Sequence, residues 1–430
     1  MSDKSQVVTN KRVLLNSPGE QVSDIYYRDA DTRVDQVETQ CIQGRFQSSL
    51  ILNWGATSNI QIPNSGNILH QTFIHIKLPP IQENEFVNRG YLYNCIDSIT
   101  WTLGSSTQSQ LRYDQKTIFQ TAMSMMNSDE YKSQALVVAG DEHVDSTSDP
   151  IEGTLILPLP WSSLRCGGSD GKKGIDTSLL ASNINLQITL SSANRIYGGS
   201  ASHPTGPLEC YVFTREEVLT NKANSIKNLL MSNSTEMYSY PFIHRQSPTP
   251  KTIVSEVSDQ IINLAELLES DLMGITMTAH LVEDQSNIGG LAPNVLLPLH
   301  CLNIELLYNG QTVYKAPGRS SLLVPSLYDG GASSFKHSRI RRVGTNSGIA
   351  SDDVNGYVYY IPFASMFNKN INYEGRYSNS PRFSNQTLQL RLTVLNPPGV
   401  TGSQPVQCHF TYYYSAVAEL SSGMSTITFA

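Results

Sequence analysis

The feature that most constrains this chain is a long-period internal repeat. Residues Gly153–Leu190 carry an apolar run, Leu155-Ile156-Leu157, then Pro158-Leu159-Pro160-Trp161-Ser162-Ser163, a Gly-rich loop, and Ser182-Asn183-Ile184-Asn185-Leu186-Gln187-Ile188-Thr189-Leu190. At an offset of 202 residues the same order returns: Tyr357-Val358-Tyr359-Tyr360-Ile361-Pro362-Phe363-Ala364-Ser365, a polar loop, and Ser384-Asn385-Gln386-Thr387-Leu388-Gln389-Leu390. This alignment sets Pro160 against Pro362 and Leu186 against Leu388. Two further blocks keep the order: Ser98–Thr107 matches Asn303–Thr312 at an offset of 205, and Leu208–Thr214 matches Val406–Tyr412 at 198. Collinear self-similarity at this spacing implies two tandem copies of one domain. The 430 residues suffice for two cores, each in a domain of roughly 150 to 200 residues.

Each copy reads as β-structure. In Ile96–Leu103 the period-2 rule puts Ile99, Trp101 and Leu103 on one face. The matching run in the second copy places Ile304 and Leu306 likewise. Further strands are expected at Leu50–Leu52, Ile68–Leu78, Leu136–Val138, Leu155–Leu157, Leu186–Leu190 and Tyr211–Phe213. In the second copy they are expected at Lys251–Val257, Ile275–Leu281, Leu302–Tyr308, Gly356–Ile361, Leu388–Leu395 and Cys408–Tyr414. Two segments change period. Asp114–Met126 spaces Ile118, Phe119, Ala122, Met123 and Met126 as an amphipathic helix does, and Arg215–Met231 reads as a helical junction. Asn263–Leu272 is expected to add a short helix. Charged residues at 16% and 21 Tyr, with 29 Gly and 21 Pro, suit a loop-rich β-protein and not a helical bundle.

Chemistry is sparse. The net charge of -7 gives no strong field for nucleic acid or an anionic membrane. The six cysteines, Cys41, Cys95, Cys166, Cys210, Cys301 and Cys408, form no CxxC pair and read as buried thiols. The N-terminus has no apolar secretory core, and no run of about 18 apolar residues occurs, so the chain is expected to be made in the cytosol and to span no membrane. His70 and His75 lie five apart on one strand and so face opposite sides, unsuited to one metal. Asp141-Glu142-His143 is read as a solvated loop rather than a cation site. Gly167-Gly168-Ser169-Asp170-Gly171-Lys172-Lys173 fails as a phosphate loop, because Cys166 and Lys173 stand where Gly and Ser or Thr are needed. Adjacent carboxylates, Glu216-Glu217 and Asp352-Asp353, do not make a glycosidase dyad. Asn233-Ser234-Thr235 and Asn385-Gln386-Thr387 match the glycosylation pattern by chance. Lys336-His337-Ser338-Arg339-Ile340-Arg341-Arg342 is the basic cluster, read as a solvated strand edge or a subunit contact. No catalytic, cofactor or metal residue is assigned, and no cofactor is expected.

Two β-domains with short strands and long Gly- and Ser-rich loops suit a pair of antiparallel sandwiches. The sequence resembles the double jelly-roll major capsid proteins of tailless icosahedral DNA viruses. The resemblance lies in Asn94-Cys95-Ile96-Asp97-Ser98-Ile99-Thr100-Trp101-Thr102-Leu103-Gly104-Ser105, where Ser105 replaces the second Gly of the family's turn. It lies also in the echo Ile304–Gln311 and in the strand, Leu-Pro-aromatic, loop, strand pattern of Pro158–Leu190. It implies an all-β fold of two tandem eight-stranded jelly rolls with a few short helices. The expected division is an N-terminal arm over 1–44, a first jelly roll over 45–215, a helical linker over 216–250, a second jelly roll over 251–420 and a tail over 421–430. The repeated core positions are Ile99, Trp101, Leu103, Pro160, Trp161, Leu186, Ile304, Leu306, Pro362, Phe363 and Leu388.

The same resemblance implies a non-enzymatic shell protein located in the virion after synthesis in the host cytoplasm. Its partners would be itself, as a homotrimer forming a pseudo-hexagonal capsomer with neighbouring capsomers, and minor capsid or penton proteins. An internal membrane would be met through the N-terminal arm, and no specific nucleic acid is implied. Two other readings stay open. One is a carbohydrate-binding spike or adhesin in which Trp101, Trp161 and tyrosines stack on sugars, and the other is a hydrolase on a β-scaffold.

Overall fold

The computed structural model describes residues 39–64, 68–103, 110–124, 150–157, 183–199, 206–219, 237–270, 272–286, 290–315, 331–343, 348–363, 388–421 and 424–429, with the short pieces 12–14, 140, 144–145 and 175–177. The first domain has eight main strands: β1 (Thr39–Leu52), β2 (Thr57–Ile62), β3 (Ile68–Leu78), β4 (Ile96–Leu103), β5 (Gln110–Asp114), β6 (Ile151–Leu157), β7 (Ile184–Leu190) and β8 (Leu208–Leu219). A one-turn helix α1 (Tyr91–Cys95) precedes β4, and α2 (Gln115–Ser124) follows β5. One sheet runs β1-β8-β3-β6 and the other β2-β7-β4-β5, all antiparallel. Pairing first with eighth, second with seventh, third with sixth and fourth with fifth is the wrapping of a jelly roll.

The second domain repeats it. Its strands are β9 (Met237–Gln246) and β10 (Lys251–Val254), which together take the first position, then β11 (Gln260–Asn263), β12 (Leu272–Leu281), β13 (Cys301–Tyr308), β14 (Gln311–Lys315), β15 (Gly331–Val343), β16 (Gly348–Pro362), β17 (Leu388–Val394) and β18 (Pro405–Ser421). One sheet is β9/β10-β18-β12-β16, extended by β15, and the other is β11-β17-β13-β14. The short strand Arg12–Leu14 pairs in parallel with β9, and Met424–Phe429 folds back on β18.

Alternation fills both cores. In β7 every second residue, Ile184, Leu186, Ile188 and Leu190, is buried, while Asn185, Gln187 and Thr189 are only partly so. Trp101 is fully buried between Ile99 and Leu103. The second core gathers Ile304, Leu306, Leu388, Leu390 and Leu392 around Phe410 and Tyr412. Of the other repeat positions, Phe363 packs half-buried against the second core, Pro362 ends β16, and Pro160 and Trp161 lie outside the described residues.

The structure corrects three sequence expectations. First, the register moves the repeat by two residues in one strand. Ile184 lies opposite Leu103 and Leu388 lies opposite Tyr308, so Leu186 is matched by Leu390 and not by Leu388. A slip of two keeps every side chain on its face, so the hydrophobic pattern could not detect it. Second, β8 runs through Leu219 and β9 covers Met237–Gln246, so strand occupies both ends of the stretch read as a helical linker. Residues 220–236 lie outside the described set. Third, Leu264–Ser270 contains no helix; Glu266 at φ 62° is in the left-handed region that a helix cannot pass. Leu136–Val138, Asp141–His143, Gly167–Lys173, Asn233–Thr235 and Asn385–Thr387 lie outside the described residues.

Trp101→Ala is expected to destabilise the protein by about 3–5 kcal/mol in denaturant unfolding. Thr102→Ala, one residue along on the other face, should stay within about 0.5 kcal/mol. Equal effects would contradict the assigned faces.

Candidate functional site

The densest polar construction in the described residues is the seam between the sandwiches, and α2 builds it. Asp114 caps the helix, its Oδ1 accepting from the Thr117 backbone N–H at 2.7 Å. Helical spacing then splits the side chains: Ile118, Phe119, Ala122 and Met123 enter the first core, whereas Thr117, Gln120 and Thr121 are also buried although polar. Gln120 faces the outer side of the second domain's first sheet. Its Nε2 donates to Thr278 Oγ1 at 2.9 Å and to the His409 carbonyl at 3.0 Å. Its Oε1 accepts from Thr276 Oγ1 at 2.9 Å and Thr411 Oγ1 at 2.6 Å. Two donors and two lone pairs are all used, the full capacity of a primary amide. Thr117 Oγ1 adds contacts to Thr411 at 3.3 Å and to Ser247.

A second contact crosses in the opposite direction. Asn88 Nδ2 donates to the Ala292 carbonyl at 2.7 Å and Asn94 Nδ2 to the Pro293 carbonyl at 2.8 Å. Leu296 then enters the first core against Gly90. Gly90 has φ 70°, and a Cβ there would stand 1.8 Å from Leu296 Cδ1, so both conformation and space require glycine. Beside it the Arg245 guanidinium on β9 lies 5.5 Å over the Tyr113 ring on β5.

Within the seam a cavity of about 360 Å³ is lined by Asp97, Asp114, Lys116, Arg195, Asp284 and His409, among others. Arg195 pairs with Asp97 at 2.8 Å. Burial lowers the Lys116 ammonium to about 7, with Arg195 adding to the effect. Burial raises the Asp284 carboxyl to about 6 against the pull of Arg339, whose Nε is 3.6 Å from Asp284 Oδ1. Arg339 also pairs with Glu283. Arg339 belongs to the basic cluster read as a solvated edge or subunit contact; it is instead turned inward and buried, while the other side chains of that cluster lie outside the described set. His280 and His409 stand with ring centroids 5.6 Å apart, and His409 Nε2 is 2.8 Å from Gln285 Oε1. Burial lowers both, His409 to about 3, and lowers His244 to about 4.

Among the described residues no three His, Cys, Asp or Glu side chains gather as a metal site. Cys95, Cys210, Cys301 and Cys408 are free and buried, and burial raises all four thiols, Cys210 and Cys408 to about 12. They are held as thiols and are poor nucleophiles. His75 lies on the outer face of β3, its Nδ1 3.1 Å from Thr154 Oγ1. Trp101, invoked for sugar stacking, is fully buried and cannot serve. Sequence reasoning missed Gln120. The available signal was the uncharged polar stripe Thr117, Gln120 and Thr121 on a helix that a solvent-facing role would have charged.

The fold is thus a pair of jelly rolls locked by reciprocal insertions. No protein-family model and no curated protein sequence matches the chain. Solved structures do. VP54 of the virus PBCV-1 aligns with a TM-score of 0.57 at 12% identity, over 95% of this chain and 99% of that one. A chain of the Sputnik virophage structure gives 0.52 at 9%, over 95% and 93%. The mavirus major capsid protein gives 0.51 at 8%, over 96% and 97%. The chain therefore has the double jelly-roll fold of these capsid structures along nearly its whole length.

Gln120→Ala removes four hydrogen bonds at once, leaving Thr278 Oγ1 without this partner while Thr276 keeps Tyr413 at 3.1 Å and Thr411 keeps Thr117 at 3.3 Å, and is expected to cost about 2–4 kcal/mol, read by denaturant unfolding. Acid is expected to weaken the protein as well. The unfolded chain protonates His244, His280 and His409 near 6.5, the folded chain only further into acid, so their contribution is intact above about 6.5 and lost as pH falls through the folded values. Asp284 opposes this, gaining as pH falls from about 6 towards 3.8, while the cost of Lys116 is complete by about 7. Three histidines outweigh one carboxyl. Chemical-denaturation stability should therefore drop between pH 6.5 and about 4, and His280→Gln with His409→Gln should flatten the slope.

Proposed function

We propose that this chain is the structural tile of a viral shell. Three copies form a capsomer with six similar sandwich sides, and capsomers close into an icosahedral capsid. The observation that carries this reading is the double jelly-roll fold itself, shared end to end with a protein described as a major capsid protein and with chains of other virion structures. The tile needs no catalytic residue, only rigid sandwiches with edges that neighbours cover. Fusing two copies lets a threefold trimer present six similar sides, so hexagonal packing is met by a closed three-membered ring.

In this proposal the chain is made in the host cytoplasm and resides in the virion. Its partners are itself, minor capsid or penton proteins at positions of other symmetry, and an internal membrane reached by the arm over residues 1–44. It binds no specific nucleic acid and no cofactor. The domain limits, 45–215 and 251–420 for the two jelly rolls, belong to the same proposal, with strand beginning already at Thr39 inside the arm, extending to Leu219 and resuming from Met237.

Light scattering on the purified full chain should give three times the mass of one chain at micromolar concentration. Raised protein concentration should give hexagonal arrays or closed particles by electron microscopy. A stable monomer that forms neither would overturn the reading.

A further inference from the structure

Inside the seam one cation is left without a counter-ion. Lys116 is the second residue of α2, in the turn where the positive end of the helix dipole disfavours an ammonium. It is half-buried and lines the 360 Å³ cavity. Three carboxylates line the same space, and each is engaged elsewhere: Asp97 with Arg195 at 2.8 Å, Asp114 with the Thr117 backbone N–H at 2.7 Å, and Asp284 with Arg339 at 3.6 Å. Among the described residues none stands within ion-pair distance of Lys116 Nζ. By contrast, Lys77 pairs with Glu209 at 3.3 Å and Lys315 with Glu305 at 2.7 Å.

The other neighbours also favour the neutral amine. Burial, with the positive charge of Arg195 added, brings Lys116 to about 7. His280 and His409, both lowered by burial, stay uncharged near neutral pH and offer no counter-charge. Asp284 is 7% exposed, and its Oδ2 has no hydrogen-bond partner among the described residues. The space is therefore polar, incompletely satisfied and of a size that holds a small ligand.

An amine freed of its proton by desolvation and a neighbouring cation is the nucleophile of Schiff-base chemistry. Nζ attacks a carbonyl carbon and forms the C–N bond. The two protons of the nitrogen leave with the carbonyl oxygen as water, and an imine remains. No oxidant or reductant enters. The lining also selects the carbonyl compound: with Lys116 neutral, the carboxylates of Asp97, Asp114 and Asp284 outnumber the one guanidinium, Arg195. An aldehyde that carries its own negative charge is disfavoured there.

We propose that the seam cavity is a covalent binding site for small uncharged aldehydes, with Lys116 as the residue that forms the imine. The adduct stands between α2 of the first jelly roll and the Asp284 and His409 side of the second. The proposal is independent of the tile reading, which needs no reactive residue.

The test treats the full chain at about pH 7.5 with glycolaldehyde and sodium cyanoborohydride, which fixes an imine as a stable secondary amine, and maps the labelled peptides by mass spectrometry. Lys116 is expected to label about ten-fold faster than Lys77 or Lys315, because far more of it is unprotonated. Glyoxylate, the anionic counterpart, should show a smaller preference for Lys116. Lys116→Arg keeps the charge but forms no imine, and should remove the fast labelling while leaving that of Lys77 and Lys315 unchanged. Labelling of Lys116 no faster than that of Lys77 overturns the site. An equal or greater preference with glyoxylate overturns the assigned ligand class. If Lys116→Arg does not fold, the peptide map of the wild-type chain decides.

Discussion

The structure depends on a fully saturated amide. Gln120 stands on a helix of the first jelly roll, and its four hydrogen bonds all end on the second. A sheet face of threonines is suited to water, and covering it with an apolar helix would strand its hydroxyls at a cost of roughly 1–3 kcal/mol each. A glutamine that meets several of them at once makes the same burial tolerable. Because any sliding of α2 along the sheet would break several of these bonds together, the seam specifies one relative placement of the domains. Leu296 packed against Gly90 adds an apolar lock beside the polar one.

This seam explains how two copies of one fold have come to differ. The first copy gives a helix and accepts a loop; the second gives that loop and accepts the helix. The pattern of burial records the division of labour. Threonines occur where α2 covers the sheet, and Phe73, Tyr211 and Phe213 occur at the equivalent positions of the first sheet, where they stay partly exposed. The charged cavity beside the seam brings Lys116, Asp284 and His409 into one small space, where burial shifts the titration of all three.

Much of the fold was legible because period-2 alternation is a local property. Ile99, Trp101 and Leu103 announce their strand, and Ile118, Phe119, Ala122 and Met123 announce α2. The repeat disclosed two domains before any contact was known. Three things were hidden for distinct reasons. The two-residue slip between Leu186 and Leu390 preserves every face, so only hydrogen-bond register reveals it. The end of β8 carries Val218 and Leu219 at spacings that fit a helix as well as a strand. Gln120 reads as an ordinary surface residue because its partners lie 156 to 291 positions away.

The central claim is that two jelly rolls locked by this seam form one rigid tile of a shell. An electron cryo-microscopy reconstruction of the purified protein tests it most directly. The account predicts a threefold particle with six sandwich densities in one ring, each chain supplying two that keep the α2 seam between them. Isolated two-lobed molecules, or lobes that take up varying placements relative to each other, would contradict it.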